Sequence, residues 1–324
     1  MKNKKQSFSS KVIERTILLV GLRKRYTKEN ALKAIEKAKI KNSKPYKFPR
    51  LIRMKALIEK QTIDGMDYYI VNKKEDEKNV ILYMHGGAYM DQPVYFHWKF
   101  IEKVAIATDY TIYVPIYPKS PTCTYVECYQ KVLKLYLKIV NEDGDFAKNI
   151  AFMGDSAGGG FVLAFAQYLR NNGIKQNANN IIMISPWLDL SMQDPDMEVL
   201  EKVDPSIRQE GILEMAKVWA GGSDFNNYMI SPINGTFENL GKMTIFIGTH
   251  DILLSSARKL RDILSNKMID FNYYEYPNMD HVFPLFPIIP EAKSAKKIIY
   301  NILNESKKWW YLIEVVLYEI YNNL

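Results

Sequence analysis

Two cysteines and four histidines in 324 residues leave little material for several kinds of chemistry. Cys123 and Cys128 stand five apart in a stretch that reads as helix, a spacing that suggests neither a zinc site nor a disulfide framework. Unpaired thiols of this kind suit a reducing compartment. The chain also lacks an apolar run approaching the ~20 residues that a membrane-spanning helix needs. Residues 17–20 are short for a signal segment, and the stretch 309–320 is broken by Glu314 and Glu319. A soluble, cytoplasmic protein is the expectation. Sixteen Gly and 14 Pro are too few for a collagen-like or linker-dominated chain. What is abundant is apolar: 47% of residues are hydrophobic and 13% aromatic, enough for a large core.

The net charge of +8 is unevenly placed. Residues 1–60 hold 19 Lys/Arg against 4 Asp/Glu, a local +15, and the remainder carries −7. Thirty-five of the 44 cations are Lys, whose compact ammonium reads base edges poorly, so nucleic acid is not expected as a partner. The basic end reads first as a solvated helical face, and second as a surface attracted to anionic membrane.

Helical spacing dominates residues 8–40, with Ala31, Leu32, Ala34, Ile35 and Ala38 on one face and lysines largely on the other, so two amphipathic helices are expected. Pro45 and Pro49 end that pattern and open short extended segments at 55–62, 66–71 and 80–84. Apolar runs then alternate with helical stretches: strands at 111–115, 149–153 and 181–185, with helices at 125–140 and 157–170. After Pro186 the rhythm stops for about 45 residues. It resumes with strands at 244–248 and 271–276, a helix at 255–267, and a last helix from Pro290. Parallel strands need crossover connections, so this alternation predicts an α/β protein with a mostly parallel central sheet flanked by helices and interrupted by one insertion.

Two glycine motifs sit at predicted strand ends. Gly154-Asp155-Ser156-Ala157-Gly158 joins the strand at 149–153 to the helix that follows. In a G-x-S-x-G elbow the serine occupies a strained turn that exposes its hydroxyl, and the small neighbours let the helix pack closely on the strand. The helix N-terminus supplies unpaired N–H groups and a partial positive charge. His85-Gly86-Gly87-Ala88 follows the apolar run 80–84, where paired glycines can turn backbone N–H groups toward a ligand. Gly86, Gly87 and Ala157 are therefore read as oxyanion-hole donors, with His85 ordering the loop.

These motifs, together with Ser185-Pro186-Trp187-Leu188-Asp189 and the contexts of Asp251 and His281, resemble the hormone-sensitive-lipase-like carboxylesterase branch of the α/β-hydrolase superfamily over about residues 50–305. Ala88 departs from the third glycine of many relatives, which bears on the alcohol portion of the substrate. The resemblance implies a helical cap built from residues 1–49 and 187–231 over a core of 50–186 and 232–308, and it implies short to medium acyl esters as substrates. Met192, Met197, Val199, Leu200, Met215 and Trp219 could line an acyl pocket, although each is also an ordinary helix-packing residue.

A serine hydroxyl needs a base to take its proton and a carboxylate to orient that base. His281, after the last strand-like run, and Asp251, at the end of the run before it, satisfy the order Ser…Asp…His with Ser156 as nucleophile. Asp280 is read as a solvated neighbour, Asp155 as a brace of the elbow, and Asp189 and Asp204 as loop and cap residues. The chemistry requires no metal or organic cofactor, and activity should fall as pH drops through roughly 6 to 7. An amidase or arylformamidase would use the same triad, and a non-catalytic ligand-binding protein of this fold is a further alternative. Residues 309–324 form an aromatic-rich extension, expected to be buried on the core or in a homodimer, the alternative being a partner or peripheral membrane contact.

Overall fold

A computed structural model describes residues 6–75, 78–141, 149–174 and 178–322, with the side chains of residue 141 and of 312–322 outside the description. Eight strands form one sheet: β1 Ile58–Ile63, β2 Met66–Val71, β3 Asn79–Met84, β4 Thr111–Pro115, β5 Asn149–Asp155, β6 Asn180–Ile184, β7 Lys242–His250 and β8 Phe271–Asp280. Their order is β1-β2-β4-β3-β5-β6-β7-β8. β1 and β2 pair antiparallel, as do β2 and β4, and every later pairing is parallel. β3 to β6 are continuous apolar runs because helices cover both faces of a parallel sheet. Along β3 the side chains alternate between two cores: Val80, Leu82 and Met84 enter one, Ile81 and Tyr83 the other.

The first core is closed by α2 Lys28–Asn42, α4 Tyr125–Asn141, α5 Ala157–Asn171, α7 Gln209–Ala220 and α8 Leu254–Asn266. The second is closed by α3 Tyr95–Thr108 and α9 Pro290–Asn322. α3 is absent from the sequence reading. Trp98, Phe100, Ile101, Val104 and Ala105 are buried, but the exposed face also carries the apolar Tyr95, Phe96 and Ile106, so the sequence shows little of the one-sided pattern that marks a surface helix. The insertion after Pro186 also holds helices, α6 Met197–Val203 and α7, and α7 packs on α2 from the N-terminal region.

The first helix, α1 Phe8–Val20, is anchored to the start of α9. The Glu291 carboxylate accepts from the Ser7 N–H at 2.7 Å, the Ser7 hydroxyl at 2.9 Å and the Ser10 hydroxyl at 2.6 Å. Outward, α1 leaves Phe8 82% and Leu19 88% exposed. α9 runs on through the aromatic extension, where Trp309 and Tyr311 are 68% and 67% exposed. Burial against the chain's own core therefore does not hold for these two rings. The side chains of Leu312, Ile313, Val315, Val316 and Leu317, expected to share their fate, lie outside the described residues. Among the described residues no helix is long and apolar enough to cross a membrane.

Candidate active site

β5 ends at Asp155 and α5 starts at Ala157, so Ser156 alone makes the turn, at φ 54° and ψ −123°. A non-glycine residue with positive φ is strained, and such strain persists only where the surroundings over-determine it. Here the Ser156 N–H donates to the Ile184 carbonyl at 2.9 Å, while its own carbonyl accepts from Trp187 at 3.0 Å and Gly160 at 3.1 Å. A Cβ on Gly158 would collide with the Met84 carbonyl, so glycine there is what lets α5 lie against the end of β3.

His281 lies just beyond the end of β8, and its Nε2 is 2.9 Å from the Ser156 hydroxyl oxygen. Its Nδ1 is 3.0 Å from Asp251 Oδ2. Asp251 is fully buried, and its other oxygen accepts from the Leu253 N–H at 3.0 Å. The Ser185 hydroxyl accepts from the Val282 N–H at 3.0 Å and so fixes the turn after His281. Burial alone would lower the His281 pKa; the carboxylate of Asp251, its hydrogen bond, and the more remote Asp204 and Asp155 outweigh burial, and the pKa is raised above its usual 6.5. Asp204 belongs to this electrostatic group although the sequence placed it with the cap. Its Oδ2 accepts from the Ile252 N–H at 2.8 Å beside Asp251, and burial with the Asp251 charge pushes its pKa up to about 6.

The loop 85–88 lies against the elbow, and here one expectation changes. The Gly86 N–H donates to Asp155 Oδ1 at 3.1 Å, which removes Gly86 from the free oxyanion donors. Its glycine character serves the close approach instead, since a Cβ would meet the Asp155 carboxylate and backbone and lie 3.0 Å from Ser156 Cβ. Gly87, at φ 121°, and Ala88, at φ 51°, carry N–H groups with no partner among the described residues, as does Ala157 at the start of α5. Asp155 is the hub of this corner. It also accepts from the Tyr83 hydroxyl at 2.6 Å and lies 3.2 Å from His97 Nε2. Burial would raise its pKa, but His97, Tyr83 and the Gly86 N–H hold it below the usual carboxylate value. His97 was passed over in the sequence because nothing local marks a partner 58 positions away. His85 is buried, stacked on Tyr117 at 4.5 Å with Nδ1 2.7 Å from the Gly86 carbonyl, and its pKa is driven well down by burial, as suits a loop-ordering residue.

Met192, Met197, Leu200, Met215 and Trp219 are buried in the first core, whereas Val199 is exposed. Tyr89 stacks on Trp219 at 4.0 Å and on Trp187 at 5.9 Å, so aromatic contacts join the insertion after Pro186 to the loop after β3. Asp189 accepts from the backbone N–H and hydroxyl of Ser191, a loop role as expected. Asp280 is not solvated: it is 5% exposed. Burial first, then the charges of Glu14, Asp204 and Asp251, push its pKa up to about 8.

A profile of the α/β hydrolase fold family matches residues 81–285, the span from β3 to just beyond His281. The chain belongs to this family. The hydrolase is 32% identical to a Staphylococcus aureus protein of known structure, provisionally classed as an esterase, with a TM-score of 0.80 over 85% of this chain and 92% of that one. It is 29% identical over 218 residues, 66% of this chain and 69% of the relative, to LipR of Mycobacterium tuberculosis, provisionally named an acetyl-hydrolase. An acetyl-hydrolase of Streptomyces hygroscopicus is 24% identical over 70% of this chain and 76% of its own length. An esterase of the bacterial hormone-sensitive lipase family shares the hydrolase's fold at a TM-score of 0.78 and 22% identity, over 94% of this chain and 99% of that one.

Proposed function

We propose that this esterase/lipase-type α/β hydrolase is a serine carboxylesterase that cleaves short to medium acyl esters through an acyl-enzyme. The observation that carries the reading is the unbroken relay from the Ser156 hydroxyl through His281 to the buried Asp251, with bonds of 2.9 and 3.0 Å. Ser156 attacks the ester carbonyl as His281 takes its proton, and Asp251 stabilises the imidazolium that results. The N–H groups of Gly87 and Ala157, joined by Ala88, face the tetrahedral oxygen, and the dipole of α5 adds to them. His281 then protonates the departing alcohol, and water repeats the sequence on the acyl group. The relatives named as acetyl-hydrolases support a small acyl group. Residues 1–49 and 187–231 act as the cap, a role consistent with the packing of α2 on α7. The exposed apolar residues of α1, among the lysines and arginines of the basic end, favour peripheral contact with an anionic membrane surface.

The test is turnover of p-nitrophenyl butyrate and of the matching butyramide. Ester turnover should fall by about 10⁴-fold or more in Ser156→Ala. Unchanged turnover in that variant refutes the serine mechanism, and a preference for the amide refutes the esterase assignment.

A further inference from the structure

Beside the triad lies a second cluster that the hydrolytic chemistry does not use. Glu14 of α1, His250 at the end of β7 and Asp280 at the end of β8 each offer one ligand atom, and the three atoms lie within 4.8 Å of one another. A register shift between Gly248 and His250 makes His250 the cross-strand partner of Asp280, so the side chains of neighbouring strand ends meet. His250 Nδ1 is 2.7 Å from Glu14 Oε1. The second Glu14 oxygen accepts from Gln6 Nε2 at 2.9 Å, and Gln6 also donates to the Asn278 carbonyl at 2.9 Å, which braces the carboxylate from outside.

Asp280 Oδ1 is buried and has no hydrogen-bond partner among the described residues. A buried carboxylate oxygen without a partner is costly, and here the nearby Glu14, Asp204 and Asp251 add further negative charge. A cation held among the three residues would supply the partner that the buried Asp280 carboxyl lacks and would offset the Glu14 charge. One imidazole nitrogen with two carboxylates is a donor set for a borderline ion such as Zn²⁺, whereas Ca²⁺, Mg²⁺ and Mn²⁺ favour oxygen ligands. Metal–ligand bonds of about 2.0–2.2 Å bring ligand atoms to within roughly 4.4 Å of each other, so a small side-chain rotation closes the set.

We propose that Glu14, His250 and Asp280 form a binding site for a divalent transition-metal ion, with Zn²⁺ the best match. The ion staples α1 to the two strand ends that bear the triad: His250 directly precedes Asp251, and Asp280 directly precedes His281. Its role is to position these loops, with three protein ligands and water completing the coordination.

The experiment uses the full chain carrying Ser156→Ala, so that its outcome is independent of turnover and of the esterase reading. Chelator-treated protein is titrated with ZnCl₂ by calorimetry, and thermal unfolding is followed in parallel. One Zn²⁺ should bind per chain and raise Tm. Asp280→Asn, His250→Gln and Glu14→Gln should each weaken binding by at least about 100-fold, beyond the 10–100-fold typical of losing an outer-shell partner. Adding His281→Ala should leave one equivalent bound. Circular dichroism identifies any variant that fails to fold, and the less deeply buried Glu14 and His250 provide replacements for Asp280→Asn in that event. The proposal is overturned by the lack of saturable binding in the Ser156→Ala chain, by full binding in all folded ligand variants, or by binding that depends on His281 and not on Asp280.

Discussion

Tyr83, Gly86, Asp155 and His97 show how much of the site's order rests on one buried carboxylate. Removing the Tyr83 hydroxyl, as in Tyr83→Phe, takes away one bond to a charged acceptor and should cost roughly 2 kcal/mol in urea denaturation. At the same scale the pH profile reports His281. The proposed mechanism needs the neutral ring, and its folded pKa is raised, so under that mechanism the protonated, inactive form persists to higher pH than for an ordinary imidazole. In chelator-treated enzyme the acid limb of kcat/KM should therefore have its midpoint above about 6.5. A midpoint well below that value would show that Asp251, Asp204 and Asp155 do not outweigh burial. Lys119 provides a separate case. Its ammonium is buried beside Tyr117 and its pKa is lowered by desolvation to about 7. A base with depressed folded pKa holds fewer protons folded than unfolded, so stability rises with pH from about 7 to 10. The wild-type slope of unfolding free energy over that window should exceed that of Lys119→Met.

Among the elements, the elbow, the strand before it and the helix after it were legible because they depend on neighbours in sequence. A glycine pair, a serine and an apolar run state their own geometry at short range. α3 was not legible, since Tyr95, Phe96 and Ile106 put apolar side chains on its exposed face and blur the one-sided pattern. β8 was expected to stop at Tyr276 but continues to Asp280, past a proline that local rules treat as a terminator. The misread of Gly86 has the same origin, for its partner Asp155 is 69 positions distant and only the folded chain reveals it. Gly158 tests how tightly α5 is seated. Gly158→Ala should lower unfolding free energy by about 3 kcal/mol, the upper end for overpacking, because the obstructing atom is a backbone carbonyl that cannot swing away. For α1, Ser10→Ala removes a bond to Glu291 and should speed amide hydrogen exchange across Phe8–Val20 while leaving α5 protected.

For the whole molecule the charge map is as informative as the fold. The first 60 residues carry 19 Lys/Arg against 4 Asp/Glu, and the exposed Phe8 and Leu19 lie within this basic stretch. Vesicles containing anionic lipid should carry the full chain upward in a density gradient at low salt, and neutral vesicles should not. Replacing Phe8 and Leu19 by Glu should leave the chain at the bottom of the tube. Flotation that is indifferent to salt and to these residues would assign the contact to Trp309 and Tyr311 instead.

The left-handed backbone at Ser156 reaches beyond the architecture into which replacements this position tolerates. A thiol differs from a hydroxyl by one atom and leaves the branching at Cβ unchanged, so Ser156→Cys can inherit the corner. Threonine adds a methyl at the carbon least able to accept one when φ is positive. The backbone torsion thus works as a filter on chemistry, admitting sulfur and turning away a second alcohol.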